Sequence, residues 1–308
     1  MAYELDKKLV IGVSSRALFD MSMENDIFER QGVEAFCKYQ VEHENEVLGP
    51  GPGFALIRSL LHINKLPGQE GRVEVIIMSR NSADTSLRVF NSIEHYGLDI
   101  TRAALASGAQ LAPYLNAFKT DLFLSAYEDD VTSAIRAGIA AGVIYSDGIH
   151  HYSIPEKEEK AQIRIAFDGD AVLFSDESER IFQENGLEAF EANERENAKD
   201  TLKQGPFAKL LKTISDLQKE FPPDKVPIRT ALVTSRNAPA HERVIRTLRA
   251  WNVRIDEAFF LGGVSKKDVL EAFGAQIFFD DQAVHTERAS EVVPAARVPS
   301  AGREERKD

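Results

Sequence analysis

Short apolar runs separated by longer amphipathic stretches recur along the chain. The runs are three to five residues long, are rich in Val, Ile, Leu and Phe, and each predicts a buried β-strand. The predicted strands are 9–13, 75–78, 103–105, 122–124, 163–167, 231–234, 258–261 and 277–279. Apolar residues at helical spacing lie between them, and strands that alternate with helices favour an α/β fold with a parallel sheet.

The pattern occurs twice. The matching segments, at a near-constant offset of about 155 residues, are 27–36 with 181–190, 79–81 with 235–237, 88–96 with 243–251 and 122–124 with 277–279. Four matches in the same order indicate an internal duplication. We expect a first unit at 1–150 and a second at 151–308, joined by a polar linker near 150–160. Each unit has a helical insert after its first strand, and the second insert spans about 175–228.

The composition disfavours several classes of function. The net charge is -12 and the pI about 5.2, which disfavours a nucleic-acid partner because that needs clustered Lys and Arg. No apolar run of about 18 residues predicts a membrane span, and the N-terminus has no signal-peptide pattern. Cys37 is the only cysteine, so we expect no intrachain disulfide, no cysteine-based zinc site and a cytoplasmic location.

Polar side chains follow the predicted strands of the second unit. They are Asp168 and Asp170 after the first strand, Thr234 and Ser235 after the second, Lys266 past the third, and Asp280 and Asp281 after the fourth. Because the carboxyl ends of parallel strands meet in one crevice, we expect these side chains to converge there. Clustered carboxylates suit Mg²⁺, and a lysine and a hydroxyl beside the metal suit phosphoryl transfer, in which a carboxylate can be the nucleophile.

Each of these residues taken singly is also typical of an ordinary turn or helix start. The first unit serves as an internal control. It has Ser14 opposite Asp168, Arg16 opposite Asp170, Met78 opposite Thr234, Leu111 opposite Lys266, and Ser125-Ala126 opposite Asp280-Asp281. The packing residues match while the polar set does not. We therefore infer one metal-dependent active site, in the second unit, and a different purpose for the first.

The same residues resemble the four motifs of the haloacid dehalogenase superfamily of phosphatases. Three longer blocks, 14–19, 167–180 and 277–282, resemble the cytosolic 5'-nucleotidase I family, and the similarity runs from about residue 8 to 299. The resemblance implies two tandem Rossmann-like units of the haloacid dehalogenase type, the first degenerate and non-catalytic. It also implies Mg²⁺-dependent hydrolysis of nucleoside 5'-monophosphates, AMP in particular, through an aspartyl-phosphate.

The resemblance implies a role for each matched residue. Asp168 is expected to be the nucleophile and Asp170 the general acid and base, with the Asp170 carbonyl also facing the metal. Thr234 and Ser235 would bind the phosphoryl group, and Lys266, rather than the adjacent Lys267, would neutralise its charge. The expected metal ligands are Asp168, Asp170, Asp280 and Asp281, of which Asp281 is the direct ligand among the last two. The 175–228 insert would form a cap that excludes water.

The resemblance leaves the first unit without a role. Its strand ends carry Ser14, Ser15 and Arg16, and then Ser79, Arg80 and Asn81. We hypothesise an anion or regulatory-nucleotide site there; the alternative is a structural or dimerising lobe in a homo-oligomer. Two other functions stay open for the whole protein: a phosphatase of the same superfamily for another small phosphoester, and a nucleotide-binding regulatory protein without turnover. No Gly-X-Gly-X-X-Gly follows either first strand, which disfavours a dinucleotide-dependent dehydrogenase.

Overall fold

The computed structural model describes residues 4–145 and 162–299. The chain divides into two compact units, Met1–Glu159 and Lys160–Asp308. The linker predicted near 150–160 lies outside the described residues. Within each unit parallel strands alternate with helices, which confirms the predicted α/β class.

The first unit is built around one parallel sheet. Its strands in the described residues are β1 (Leu9–Val13), β2 (Val73–Ser79), β3 (Arg102–Leu105), β4 (Leu122–Ser125) and β5 (Ala140–Ile144), in the order β3-β2-β1-β4-β5. Its helices are α1 (Ser15–Leu18), α2 (Ser22–Glu42), α3 (Phe54–His62), α4 (Leu87–His95), α5 (Ala112–Ala117) and α6 (Glu128–Arg136), with 3-10 turns at Ile63–Lys65 and Asp84–Ser86. Every residue of β1 and β2 is buried, as in a parallel sheet that is covered on both faces.

The second unit repeats this arrangement. Its strands in the described residues are β6 (Ile163–Phe167), β7 (Ile228–Thr234), β8 (Glu257–Phe260), β9 (Ile277–Asp280) and β10 (Ala295–Arg297), in the order β8-β7-β6-β9-β10. Its helices are α7 (Glu177–Glu196), α8 (Ala208–Gln218), α9 (His241–Ala250), α10 (Lys266–Phe273) and α11 (Ala283–Ser290), and a short π-helical turn covers Gly169–Leu173. Counted from its own first strand, each sheet therefore has the same order.

The fifth strand of each unit was missed by the sequence analysis. Strand β5 begins with Ala140-Ala141-Gly142, and β10 is only Ala295-Ala296-Arg297. Alanine and glycine have low β-propensity, so these segments give no strand signal of their own. Pairing with β4 and β9 makes them strands, because the neighbouring strand supplies the hydrogen bonds and burial.

The helical insert of each unit contains a long helix that is broken near its middle by a glycine. Gly32 in α2 has φ 84° and ψ -179°, and Gly186 in α7 has φ 80° and ψ -176°. A positive φ of this size favours glycine over residues that carry a Cβ. The matching break at the same offset shows that the two inserts share a backbone feature. No helix within the described ranges 4–145 and 162–299 is both long and apolar enough to cross a membrane.

Gly205 marks a close approach between the insert and the turn that follows β6. Its N–H donates to the Leu173 carbonyl at 2.9 Å, and a Cβ at this position would lie 2.3 Å from the Phe174 carbonyl oxygen. We expect Gly205→Ala to lower the free energy of unfolding by about 2–3 kcal/mol, since backbone must move to admit the methyl group. Thermal and denaturant unfolding measure this directly.

Gly49→Ala is the matched control, because a Cβ at that exposed glycine meets nothing closer than 3.9 Å. That variant should stay within about 0.5 kcal/mol of the parent protein. Equal stability of the two variants would contradict the close packing at Gly205.

Candidate active site

Asp168 directly follows β6 at the carboxyl edge of the second sheet. Its backbone N–H donates to the Phe279 carbonyl of β9 at 2.8 Å, so the adjacent strands fix its position. The residue is 6% exposed, and burial raises the pKa of its carboxyl to about 7, while Lys266 acts in the opposite direction. A buried carboxylate held at a strand end has the placement that nucleophilic catalysis requires.

Lys266 lies between two carboxylates. Its Nζ is 2.9 Å from Asp168 Oδ1 and 2.6 Å from Asp280 Oδ2, and the residue is 4% exposed. Burial by itself would lower the pKa of this lysine, but the two carboxylates raise it above its usual value, so it remains a cation. Lys266 is the first residue of α10, whose N-cap Ser265 accepts from the Lys267 N–H at 3.3 Å. Lys267 points elsewhere and pairs with the exposed Glu291.

Three carboxylates meet at this point. One oxygen from each of Asp168, Asp280 and Asp281 lies within 4.8 Å of the other two. Burial, together with the charges of Asp168 and Asp280, raises the pKa of Asp281 to about 8. Asp280 is fully buried and uses one oxygen for Lys266 and the other for the Gln282 N–H. A single lysine does not balance three carboxylates, and hard oxygen donors at this spacing fit a small divalent cation.

Asp170 does not join this cluster in the structure. Its two carboxylate oxygens accept from Arg236, at 2.8 Å from Nε and 2.6 Å from Nη2. The turn that carries Asp170 is strained, because the next residue, Ala171, has φ 61°. A left-handed conformation costs a residue with a Cβ about 1–2 kcal/mol.

Arg236 is the residue beside Asp170 that the sequence pattern did not indicate. It is 4% exposed, and its Nη1 lies 2.5 Å from the fully buried Glu194 of α7, which also accepts from Arg243 Nη1 at 3.0 Å. Burial would lower the pKa of Arg236, but Asp170 and Glu194 raise it overall. The repeated Ser-Arg-Asn segment contained Arg236, yet only its serine was considered. Asp170, Arg236, Glu194 and Arg243 thus form one chain of alternating charges.

Thr234 and Ser235 end up in different surroundings. Thr234 is 1% exposed, accepts from the Arg236 N–H at 3.3 Å, and lies 3.2 Å from the position of a Cβ on Gly169. It therefore lies beside the turn that follows Asp168. Ser235 is exposed, and no described contact brings it to the carboxylate cluster.

The strand register corrects the comparison between the units. Val13 pairs with Ile77 and Phe167 pairs with Leu232. Two residues further along each second strand, Ser79 is therefore the counterpart of Thr234. The expected counterpart, Met78, is therefore wrong by one residue, because a one-residue shift cannot be seen in the sequence of short apolar strands.

The turn after the first strand differs in length between the units. In the first unit the Phe19 N–H donates to the Ser15 carbonyl, whereas in the second the Phe174 N–H donates to the Gly169 carbonyl, one residue further back. Arg16 is therefore not the strict counterpart of Asp170. The second unit has an extra residue at the position where its acidic turn is formed.

Comparisons with known proteins show the family of this chain. A family model described as 5'-nucleotidase matches residues 1–305. Cytosolic 5'-nucleotidase 1B of Homo sapiens is 38% identical over 291 residues, which cover 91% of this chain and 47% of the human protein. The chain thus spans about half the length of that relative. Among solved structures, histidinol dehydrogenase from Elizabethkingia anophelis aligns over 92% of this chain and 51% of its own, with 9% identity and a TM-score of 0.23, which is too low to relate the folds.

Proposed function

This chain belongs to the 5'-nucleotidase family, and we propose that it hydrolyses nucleoside 5'-monophosphates, with AMP favoured, to a nucleoside and inorganic phosphate. The observation that supports this most directly is the buried cluster in which Lys266 lies between Asp168 and Asp280, with Asp281 beside them. Such a cluster combines a nucleophile, a fixed positive charge and ligands for a metal. The human relative is named a cytosolic enzyme, and on that basis we also propose a cytosolic location.

In the proposed reaction Asp168 is the nucleophile and Asp170 is the general acid and base. A carboxylate oxygen of Asp168 attacks phosphorus, the bond from phosphorus to the 5'-oxygen breaks, and protonated Asp170 gives its proton to the leaving nucleoside oxygen. Water then attacks the aspartyl-phosphate while Asp170 accepts a proton from that water. The bond to Asp168 breaks, phosphate leaves, and both carboxyl groups return to their starting states.

Four other residues prepare the site for this reaction. Lys266 contacts Asp168, so it would orient the nucleophile. Its positive charge would also stabilise the oxygens of the phosphoryl group bound beside Asp168. Thr234 contributes a hydroxyl beside Gly169, and Ser235 is proposed as a further phosphate donor at the exposed rim. Arg236 holds both oxygens of Asp170, so the acid–base role requires one of these hydrogen bonds to open when substrate enters.

We propose Mg²⁺ as the cofactor. Its ligands would be Asp168 and Asp281, with the Asp170 carbonyl as a third, while Asp280 supports them through Lys266 and the Gln282 N–H. This assignment rests on the donor set, since carboxylate oxygens in a tight cluster are the ligands that Mg²⁺ prefers. When bound, the ion would supply positive charge to the phosphoryl oxygens.

We further propose that the two units arose by duplication of one haloacid dehalogenase-like unit, with 151–308 catalytic, 1–150 non-catalytic, and 175–228 the cap of the catalytic unit. Matching strand orders and matching glycine breaks support this. A buried ion pair supports it further. Arg88 pairs at 2.5 Å with Glu24 near the start of α2, and Arg243 pairs at 3.0 Å with Glu194 near the end of α7. In each unit the matched arginine, Arg88 or Arg243, forms an ion pair with a glutamate of the insert helix. The glutamate lies near the start of the helix in the first unit and near its end in the second.

A phosphate-release screen tests the proposed function. Nucleoside monophosphates and sugar phosphates should be compared, each with Mg²⁺ and with excess EDTA. We expect AMP to be turned over with Mg²⁺ and the rate to fall at least about a hundredfold with EDTA, because the carboxylates lose their cation. A preference for sugar phosphates would contradict the proposed substrate class. A rate of phosphate release that is the same with EDTA as with Mg²⁺ would contradict the proposed metal dependence.

A binding measurement separates metal loading from catalysis. Mg²⁺ at 100 times its Kd should stabilise the folded protein by about 2.7 kcal/mol, which appears as a rise in Tm. Asp281→Asn removes a proposed ligand and should abolish that rise. Asp121→Asn is the control for an Asp-to-Asn change, since Asp121 is a buried carboxylate of the first unit that accepts from the Val10 N–H.

A further inference from the structure

The first unit contains a cavity that the catalytic chemistry does not use. It has a volume of about 530 Å³ and lies at the carboxyl ends of β1, β2 and β3. That volume is within the range of small-molecule sites, about 300–1,000 Å³, and suits a drug-sized ligand. All of its lining residues belong to the first unit. In a parallel α/β sheet the carboxyl ends of the strands are the usual place for a ligand.

The floor of this cavity is polar and contains two arginines. It includes Ser15, Arg16, Ser79, Arg80 and Asn81. The Ser15 hydroxyl has no hydrogen-bond partner among the described residues, although Ser15 is only 4% exposed. A buried hydroxyl without a partner costs stability, so a ligand oxygen at this point would relieve that cost.

Two arginines and two carboxylates line the cavity, and one of the carboxylates, Glu24, is paired with Arg88. The Arg80 guanidinium is paired with Asp130, with Nε at 2.7 Å from Oδ1, so these two charges cancel. The Arg16 guanidinium lies 5.6 Å from the centre of the Tyr127 ring. An arginine beside an aromatic ring and several hydroxyls is a typical environment for a phosphate group.

The wall formed by the insert helix α2 is mainly apolar. It includes Phe28, Val33 and Phe36, beside Glu24 and Asn25 near the start of the helix. The rings of Phe28 and Phe36 pack edge to face at 6.0 Å, and Phe28 and Val33 remain 44% and 59% exposed. Exposed apolar side chains that face a cavity favour a ligand with a flat apolar body. The cavity therefore pairs an anion-binding floor with a wall that suits a nucleobase.

The catalytic groups are absent at the corresponding positions. Ser14 replaces Asp168, its N–H donating to Leu124 as the Asp168 N–H donates to Phe279. Leu111, the N-cap of α5, is uncharged, whereas α10 begins with Lys266. Ser125 ends β4 and Ala126 follows it, whereas Asp280 ends β9 and Asp281 follows it. Such a site can hold a phosphate ester but has no carboxylate at the position of Asp168 to cleave it, and its two carboxylates, Asp130 and Glu24, are each paired with an arginine.

We propose that this cavity binds a nucleoside 5'-monophosphate without hydrolysing it, with the phosphate on Ser15 and Arg16 and the base against the α2 wall. The ligand class rests on the proposed function, because it is the substrate class assigned to the second unit. Each chain would then hold two nucleotides, of which only the one in the second unit is cleaved.

Calorimetric titration of Asp168→Asn with AMP in Mg²⁺ counts the sites without turnover. We expect two AMP per chain. Val33→Trp in the same background fills the cavity, and Arg16→Ala removes its positive charge; the first should leave one site, and the second should weaken one site at least about tenfold. Val41→Trp is the matched control on the same helix, exposed and outside the cavity, and should leave both sites unchanged. Adenosine tests binding to the α2 wall and inorganic phosphate tests binding to the floor. Each should compete only weakly with AMP for the first-unit site.

The outcomes distinguish this inference from the proposed function. Two sites, one of them lost in Val33→Trp, support both. One site that Val33→Trp abolishes supports this cavity and contradicts nucleotide binding by the second unit. A single AMP site whose affinity is the same in Val33→Trp and Arg16→Ala overturns the inference but does not contradict the catalytic assignment. An absence of AMP binding overturns both.

Discussion

Asp168→Asn is expected to lower phosphate release from AMP by at least about a thousandfold, measured at saturating Mg²⁺. The amide has nearly the same shape but is a far weaker nucleophile, so the covalent step loses its attacking group. The loss should appear in kcat, because the phosphate-binding groups Lys266 and Thr234 remain. Rapid quenching with labelled substrate should also show phosphate bound to the parent protein and none bound to the variant.

Folding should survive this change. Burial raises the pKa of Asp168, which means that the fold disfavours its charge, so a neutral side chain at this position carries no penalty of that kind. Lys266 keeps its contact with Asp280. Asp121→Asn is the control for a buried Asp-to-Asn change, and its kcat should stay within about twofold of the parent. If Asp168→Asn retains kcat, Asp168 is not the nucleophile.

Arg236→Met is expected to lower the free energy of unfolding by about 3–5 kcal/mol. Arg236 is almost fully buried and joins Asp170 to Glu194, so its removal leaves two carboxylates with only the Arg243 charge beside them. We also expect kcat to fall about 10–100-fold, since Asp170 loses the two hydrogen bonds that orient its carboxylate. Arg236 is thus a positioning residue that acts through Asp170.

The matched control for that variant lies in the first unit. Arg88 is also buried and pairs with Glu24 at 2.5 Å. Arg88→Met should cost comparable stability but leave kcat of the folded fraction unchanged. Arg236→Lys keeps the charge and should recover part of the stability, and the pH profile of kcat should change in Arg236→Met but not in Arg88→Met. Equal effects of Arg236→Met and Arg88→Met on kcat would mean that Arg236 only stabilises the fold.

Much of the fold could be read from apolar periodicity. Strands β1 and β6 have the bounds that the sequence predicts, because a short run of Val, Ile, Leu and Phe with polar flanks has few alternatives to a buried strand. The last strand of each unit could not be predicted in this way. Strands β5 and β10 are built from Ala and Gly at their starts, and only their neighbours in the sheet make them extended.

The candidate site could be predicted in part. Asp168, Lys266, Asp280 and Asp281 were each placed by their position after a strand, and the structure brings them together. The Asp170 carboxylate contacts Arg236, a partner that the sequence did not indicate, while the expected role of the Asp170 carbonyl as a metal ligand stays a prediction. That pairing depends on how two side chains that follow separate strands are oriented toward each other. The order of residue types along the chain does not specify this orientation.

The sequence by itself determined the α/β class, the repeat and the difference in strand-end chemistry between the two units. These follow from local properties, namely the period of apolar residues and the residue type that follows each strand. Only the tertiary structure decided which polar residues touch. The Asp170–Arg236–Glu194 chain links positions up to 66 residues apart, and the extra residue in the acidic turn emerges only from the hydrogen bonds that close it. Contacts of this kind depend on how strands and helices pack, and packing is set by the whole unit rather than by any one segment.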